Sequence, residues 1–178
     1  DHVHLVSPYS KMEFAYKQPK HQDWFDVKVG NVRLNDVDIP GYFSTKELRV
    51  GGLWINDVLL QNLKNRKIPV EPHIVPMIYE GLQKAPVRFK IDTASVANFS
   101  VVYEELPVKG DKPGKLYFTD MNGQFSGLTN IVSYPEQFIR LHADGNLMGS
   151  GHFTATWQLP VDSLYDRFLL DARLDSLD

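Results

Sequence analysis

The stretch VKVGNVRLNDVDI, residues 27–39, gives the clearest indication of how this chain folds. Two later stretches follow the same template without gaps: LRVGGLWINDVLL (48–60) starts 21 residues further on, and FKIDTASVANFSV (89–101) starts 62 residues further on. In each copy, apolar residues alternate with other residues and the alternation is interrupted twice by a two-residue step. Alternation at period two is typical of a strand with one buried face. The three copies therefore predict a mostly β fold built from repeated units.

The two steps of the template carry residues that tolerate a left-handed backbone. In the first copy they are Gly30-Asn31 and Asn35-Asp36. Gly, Asn and Asp adopt positive φ at low cost, which favours tight turns or bulges. We interpret each copy as a strand, a short turn and a second strand that bends at the Asn-Asp step. The prediction is an antiparallel curled sheet, arranged as a sandwich or as a half-open groove, and for so short a piece we favour the closed core.

The second copy is apolar on both faces, because Trp54 and Leu59 stand where the first copy has Arg33 and Asp38. A strand of this kind needs a cover on both sides. The best cover is one short helix near residues 74–84, where apolar residues recur at helical spacing.

The second half of the chain stays β-like without repeating the template. The Asn122-Gly123 pair predicts a hairpin, and residues 149–151 predict a turn between two strands. The loop 107–114, PVKGDKPG, is a candidate subdomain boundary. Because the β pattern continues through this loop, we interpret residues 1–178 as a single β-rich domain.

The composition of the chain excludes several classes of function. The 178 residues are 43% hydrophobic and 23% charged, as in ordinary globular proteins. The net charge of −3 and the scattered basic residues give no attraction to phosphate backbones, so we expect no nucleic-acid partner. Zero cysteines exclude disulfides and thiolate chemistry. Both ends interrupt strand-like patterns, so we expect a fragment excised from a longer chain.

The sequence contains no clear motif of an enzyme active site. Acidic residues fall mainly in turns, phosphate-binding loops are lacking, and Gly149-Ser150-Gly151 resembles a nucleophile elbow only superficially. His2 and His4 share a strand face, but the sequence fixes no third zinc ligand. We therefore predict a non-enzymatic protein with no cofactor and no metal, and rank a hydrolase last.

Aromatic residues suggest one alternative function. They make up 12% of the chain and include Trp24, Trp54 and Trp157. Exposed rings can stack on sugars, which would make the protein a carbohydrate-binding or adhesion module of a cell-envelope protein. Most of these rings lie at alternating apolar positions, which favours a role in the core.

Longer phrases carry a family resemblance from residue 24 to the end. They are VKVGNVRLNDVDI, FKIDTASVANFSVVY, LYFTDMNGQFSGLTN and FIRLHADGNLMGSGHFTATWQLPVDSLYDRFLLDARLDSLD. These phrases resemble the AsmA-like family of bacterial envelope proteins, a group related to TamB and other bridge-like lipid-transfer proteins. The amino-acid sequence is especially similar to those of family members from Bacteroides-type bacteria. The motifs are patterns of strands and steps, not catalytic signatures.

The resemblance implies a β-rich periplasmic protein of the cell envelope, anchored to the inner membrane by a helix outside this chain. It implies a role in lipid transport or outer-membrane biogenesis, with phospholipid acyl chains as partners on an apolar β surface. Burying acyl chains there would yield about 0.8 kcal/mol per CH₂. No binding residue transfers from the family. The template and the later alternation supply the lipid-facing or core candidates, namely Val32, Leu34, Val37, Phe99, Val101, Phe153 and Trp157.

Overall fold

A computed structural model describes residues 2–69, 78–162 and 167–175. They form one eight-stranded sheet in which the strands lie side by side in chain order. The elements in sequence are β1 (Val3–Val6), α1 (Lys11–Lys17), β2 (Trp24–Val37), α2 (Ile39–Thr45), β3 (Glu47–Asn65), α3 (Ile78–Gln83), β4 (Arg88–Leu106), β5 (Gly114–Thr129), β6 (Phe138–Leu147), β7 (Gly151–Pro160) and β8 (Leu169–Asp175). The prediction of a mostly β protein is confirmed.

The sheet is mixed, which corrects the prediction of an antiparallel one. Strands β3 and β4 run parallel, whereas the other six neighbouring pairs are antiparallel. A parallel pair requires the chain to return to the same end of the sheet, which takes a connection of about a dozen residues or more. Residues 66–87 separate the two strands and include α3.

The register of the sheet follows the template copies. The second and third copies pair position by position in parallel, from Leu48 opposite Phe89 to Leu60 opposite Val101. The first and second copies pair head to tail, so that Val27 lies opposite Leu60. The spacing of apolar residues in the template reads the same in both directions. Apolar side chains therefore oppose each other in either orientation, which is how cross-strand pairs stabilise a sheet.

The second and third template copies lie wholly within β3 and β4, and the first lies in β2 up to Val37, so the predicted turn inside each copy is wrong. The bend at the second step is present, because Asp36, Asp57 and Asn98 have φ angles of 53°, 57° and 53°. Such a residue interrupts the regular pleat, so that the apolar residues on either side of it lie on the same face. The register between β2, β3 and β4 continues without a shift, because the interruptions of neighbouring copies lie opposite each other. Opposite Asp57 lies Gly30, where an added Cβ would stand 2.8 Å from the Asp57 Cβ. This close approach explains the glycine.

The hairpin predicted at Asn122-Gly123 is also wrong. Both residues lie inside β5, which pairs with β4 and β6 on its two sides. Asp120 takes a φ of 53° there and forms a further bulge. The turn predicted at 149–151 is confirmed in position, since it joins β6 to β7 and Gly149 has a φ of 92°.

The helices match the predictions only in part. The helix predicted at 74–84 is observed as α3 over Ile78–Gln83, and residues 74–77 lie outside the described residues. It packs against β7 and does not cover the second template copy. Two helices, α1 and α2, were not predicted. The α2 helix starts where Asp38 accepts a hydrogen bond from the Gly41 amide at 2.8 Å.

The sheet is not closed, so the favoured closed core is corrected to an open sheet. Strands β1 and β8 lie at its two edges, and each pairs with one neighbour. Within the described residues, extensive contacts between strands join only neighbours in the sheet. A second sheet packed on the first is therefore not part of the described structure.

Candidate functional site

The cross-strand register aligns an unbroken row of apolar side chains across seven strands. From β2 to β8, this middle row consists of Leu34, Leu53, Ala94, Phe125, Leu141, Trp157 and Leu170. Six strand spacings of about 4.8 Å make the row roughly 29 Å long. The face of the sheet that carries it is called the apolar face below.

A second row of small and β-branched residues runs beside the middle row. From β2 to β8 it consists of Val32, Ile55, Val96, Gly123, Ala143, Ala155 and Ala172. A Cβ added at Gly123 would lie 3.5 Å from Leu141 and 3.9 Å from Phe125. These contacts place the second row and the middle row on the same face.

The same face continues towards the C-terminal ends of β3 and β4. Phe118 and Phe153 meet edge to face with ring centroids 5.7 Å apart, although two strand spacings separate them. Phe153 lies four residues before Trp157 on β7, an even spacing that puts both on the apolar face. Val101 lies opposite Phe118, and Phe99 lies opposite Met121.

All seven residues predicted from the sequence lie on the apolar face. Leu34 and Trp157 belong to the middle row and Val32 to the second row, whereas Val37 packs with the buried cluster of Val50, Ile91 and Ala94. The remaining three are Phe99, Val101 and Phe153. Their role as lipid-facing or core residues stays a prediction.

Five members of the middle row were missed by the sequence prediction, namely Leu170 at its end and the four central residues Leu53, Ala94, Phe125 and Leu141. The four central residues connect the two groups of residues that were predicted. The alternation FIRLHA at 138–143 does mark Leu141 as apolar and in phase with Ile139. Only the pairing of β5 with β6 shows that Leu141 lies opposite Phe125.

The other face carries a polar row one residue out of phase with the middle row. It consists of Arg33, Trp54, Ser95, Gln124, His142, Thr156 and Asp171. His142 Nδ1 lies 3.2 Å from Thr156 Oγ1. Trp54 is its one apolar member and remains 36% exposed. This side is called the polar face below.

Helices cover the two faces at opposite ends of the strands. On the polar face, α1 buries Phe14 and Ala15 against Trp24, Leu63 and Leu106. Trp24 Nε1 donates to the Tyr9 carbonyl at 3.0 Å, which fixes the segment that leads into α1. This cluster lies at the C-terminal ends of β3 and β4.

On the apolar face, α3 packs Leu82 against the buried cluster of Ile139, Leu159 and Val161. Gln83 Nε2 donates to the carbonyls of Asn130 and Val161 at 3.1 and 2.9 Å. These bonds fix α3 at the N-terminal end of β4. Within the described residues, α3 therefore covers one end of the apolar face.

The middle of the apolar face remains accessible. Val32, Leu34 and Leu170 are 45%, 49% and 50% exposed. Leu53, Phe125, Leu141 and Trp157 are half-buried. In the described part of the chain, α3 packs on this face at the end that holds Ile139, Leu159 and Val161. Exposed apolar patches of this kind mark binding surfaces in soluble proteins.

A polar group marks the other end of the apolar face. Tyr103 lies on β4 between Asn62 and Leu116 and donates its hydroxyl to Glu105 Oε2 at 2.8 Å. Burial, followed by the bond to Glu105, raises the pKa of Tyr103 to about 12. The apolar face thus ends in a neutral phenol at ordinary pH.

The histidine pair considered as a zinc site does not come together with other ligands. His4 Nε2 lies 2.8 Å from Asp26 Oδ1 on the neighbouring strand, and His2 is exposed. Within residues 2–69, 78–162 and 167–175, no three His, Asp or Glu side chains converge as metal ligands would.

Searches for relatives leave the family open. No protein-family model matches the chain, and no curated protein matches it. Among the described residues, none of the helices has the length and apolar character needed to span a membrane.

Proposed function

We propose that this chain is a non-enzymatic, periplasmic module of an AsmA-like cell-envelope protein, and that its apolar face binds phospholipid acyl chains during lipid transport or outer-membrane biogenesis. The observation that carries the proposal is the middle row, which stays apolar across seven strands and lies under no second layer of the described structure. The resemblance of the template phrases to that family supports the same reading. Membrane association would come from segments outside this chain.

The dimensions of the face suit an acyl chain. The middle row is roughly 29 Å long, which exceeds the roughly 15 Å depth of hydrocarbon in one leaflet of a bilayer. Each CH₂ group moved from water onto such a surface and fully buried would contribute about 0.8 kcal/mol. Several half-exposed Leu, Phe and Trp side chains would be covered at the same time, which adds to the gain.

Co-purified lipid tests this proposal. The chain is purified from a phospholipid-containing host, and the extracted lipid is quantified by mass spectrometry for the parent, Leu141→Asn and His142→Asn. The two positions are neighbours on β6, one on each face. We expect bound phospholipid in the parent, a several-fold loss in Leu141→Asn and no change in His142→Asn. Lack of lipid in the parent, or equal losses in both variants, would contradict the proposal.

A carbohydrate-binding or adhesion function is the second candidate, and Trp54 is the observation that favours it. Its ring lies over Gly52 on the polar face, where a Cβ added at Gly52 would stand 2.0 Å from the ring. Hydrogen-bonding side chains of Ser95 and Gln124 follow Trp54 in the polar row. An exposed ring beside such groups is an arrangement that can stack on a sugar.

Glycan-array binding separates the two functions. Sugar binding that Trp54→Ala removes, without any bound phospholipid, would favour the second candidate. Phospholipid binding that persists in Trp54→Ala would favour the first, because this substitution leaves the apolar face intact.

A further inference from the structure

The end of the sheet that holds α1 carries a concentration of basic residues. It consists of residues 9–24, 63–69 and 104–115, from the cross-strand row of Trp24, Leu63, Glu104 and Lys115 outwards. These segments contain nine Lys or Arg and five Asp or Glu residues, which give a formal charge of +4. The whole chain carries −3, so the remaining residues carry −7. The surface formed by the three segments is called the basic end below.

Contacts join the three segments into one continuous surface. Lys67 Nζ donates to Asp111 Oδ1 at 2.5 Å and lies 5.7 Å from the centre of the Tyr16 ring. These contacts connect the end of β3 with α1 and with the loop between β4 and β5. Lys11 of α1 pairs with Glu104 at the end of β4. The bases are dispersed in the sequence, and the pairing of β3 with β4 and the packing of α1 bring them together.

Two bases of the loop between β4 and β5 keep their full charge available. Most carboxylates of the basic end already pair with a base; Asp111 pairs with Lys67, for example. Lys109 and Lys112 are exposed, and in the described part of the chain neither pairs with a carboxylate. Their charges can therefore attract an anionic partner.

Exposed apolar and aromatic side chains lie among these bases. Val108 precedes Lys109 in the loop and is 67% exposed, and Tyr16 on α1 is 56% exposed. Tyr9 is exposed beside Lys17, whose Nζ lies 4.5 Å from the centre of its ring. Tyrosine rings and apolar residues among lysines are typical of surfaces that lie in the headgroup region of a bilayer. A soluble polyanion would make no use of Val108.

We propose that the basic end is a membrane-docking surface, which binds anionic lipid headgroups through its lysines and inserts Val108 and the tyrosine rings at the headgroup level. Each lysine near an anionic membrane surface adds to the attraction. The negative charge of the remaining residues orients the chain with the basic end towards the membrane.

Docking through the basic end would bring the apolar face close to lipid. Leu116 is exposed next to Lys115 and lies opposite Tyr103, at the end of the apolar face. The docking does not depend on lipid binding by the apolar face. It adds to the membrane association that we expect from segments outside this chain.

Vesicle sedimentation tests the proposal. Binding is measured to vesicles of phosphatidylcholine alone and to vesicles of phosphatidylcholine and phosphatidylglycerol in equal parts. We expect the parent to bind the second kind only. Lys109→Glu/Lys112→Glu should weaken this binding about ten-fold or more, because two attractions become repulsions. Lys28→Glu/Arg33→Glu makes the same change in net charge at exposed positions of β2 outside the basic end, and it should weaken binding much less.

Substitutions at Val108 distinguish a membrane from a soluble polyanion. We expect Val108→Ser to weaken vesicle binding several-fold and to leave binding to dextran sulfate unchanged. Because the chain has zero cysteines, Val108→Cys accepts a single polarity-sensitive dye. The dye emission should shift to the blue on anionic vesicles. The same dye on Ser44→Cys, in α2 at the opposite end of the sheet, should not shift.

A parent that does not bind anionic vesicles would overturn the proposal. Equal weakening by the two charge-reversed variants, or an unshifted dye at Val108, would overturn it as well. An unchanged affinity of Val108→Ser for vesicles would indicate a soluble anionic partner instead. Leu141→Asn changes the apolar face and is expected to dock like the parent, so a failure of docking is distinguishable from a failure of acyl-chain binding. Circular dichroism of each variant distinguishes these outcomes from loss of the fold.

Discussion

The two faces of the sheet differ although they use the same strands. On β6, Leu141 continues the middle row of the apolar face, and the next residue, His142, belongs to the polar row. The backbone pairing is common to both faces, so the difference lies in the side chains and in their phase along each strand. The positive-φ residues preserve that phase at the second step of each template copy. The comparison shows that a face stays apolar across neighbouring strands when their interruptions leave the apolar residues in phase.

We expect the two faces to differ most in stability at the end of the apolar face that α3 covers. Ile139 is 1% exposed within the cluster that α3 covers, whereas Arg140 beside it is exposed on the polar face. Ile139→Ala removes buried volume and is expected to lower the free energy of unfolding by about 2–5 kcal/mol. Arg140→Ala should change it by no more than about 0.5 kcal/mol. Urea denaturation measures both, and similar values would contradict the assignment of faces.

A smaller change in stability is expected at Asp57, the positive-φ residue in the second step of the second template copy. Asp57 has a φ of 57° and accepts a hydrogen bond from Asn98 Nδ2 at 2.6 Å. Asp57→Ala and Asp57→Gly both remove this bond, but only glycine adopts the backbone without strain. We expect the alanine variant to be less stable than the glycine variant by about 1–2 kcal/mol. Thermal and urea unfolding of the pair would contradict the account if alanine were equal or better.

The smallest effect concerns the phenol of Tyr103, at the end of the apolar face that lies away from α3. The pKa of Tyr103 is raised from 10.0 to about 12, first by burial and then by the hydrogen bond to Glu105. An acid whose pKa is raised on folding contributes stability below its unfolded value, and that contribution disappears as the pH rises through about 10 to 12. Glu105→Gln should bring the pKa of Tyr103 closer to 10, without removing the part that burial causes.

Phenolate absorbance measures this change. The titration curve of Tyr103→Phe is subtracted from that of the parent, and the same subtraction is made in the Glu105→Gln background. A Tyr103 curve centred near 10 in the parent would show that the phenol is not buried on this face.

Many strands of the sheet could be predicted because the alternation of apolar residues that specifies a strand lies within the strand itself. The template at 27–39, its copies and the alternation at 152–159 each specify strands and the phase of their apolar residues. The gapless offset between the second and third copies even matches the observed register from Leu48 opposite Phe89. What the template could not specify was direction, because its symmetric spacing is equally compatible with parallel and antiparallel neighbours.

The wrong predictions concern features that depend on contacts between distant parts of the chain. Asn122-Gly123 has the composition of a hairpin turn, but pairing on both sides of β5 holds it extended. The helix α1 was missed because residues 11–17 are too few for a clear period, and its stability comes from burying Phe14 and Ala15 under Trp24. The open state of the sheet depends on which elements lie over the apolar face, which strand patterns do not encode.

Tryptophan quenching shows which face of the sheet binds acyl chains, because Trp157 and Trp54 lie on opposite faces. Two variants with a single tryptophan each are compared, Trp24→Phe/Trp54→Phe and Trp24→Phe/Trp157→Phe, with phospholipid carrying bromine on its acyl chains. Binding on the apolar face predicts strong quenching of Trp157 and little quenching of Trp54. Equal quenching of the two, or stronger quenching of Trp54, would contradict an acyl-chain site on the apolar face.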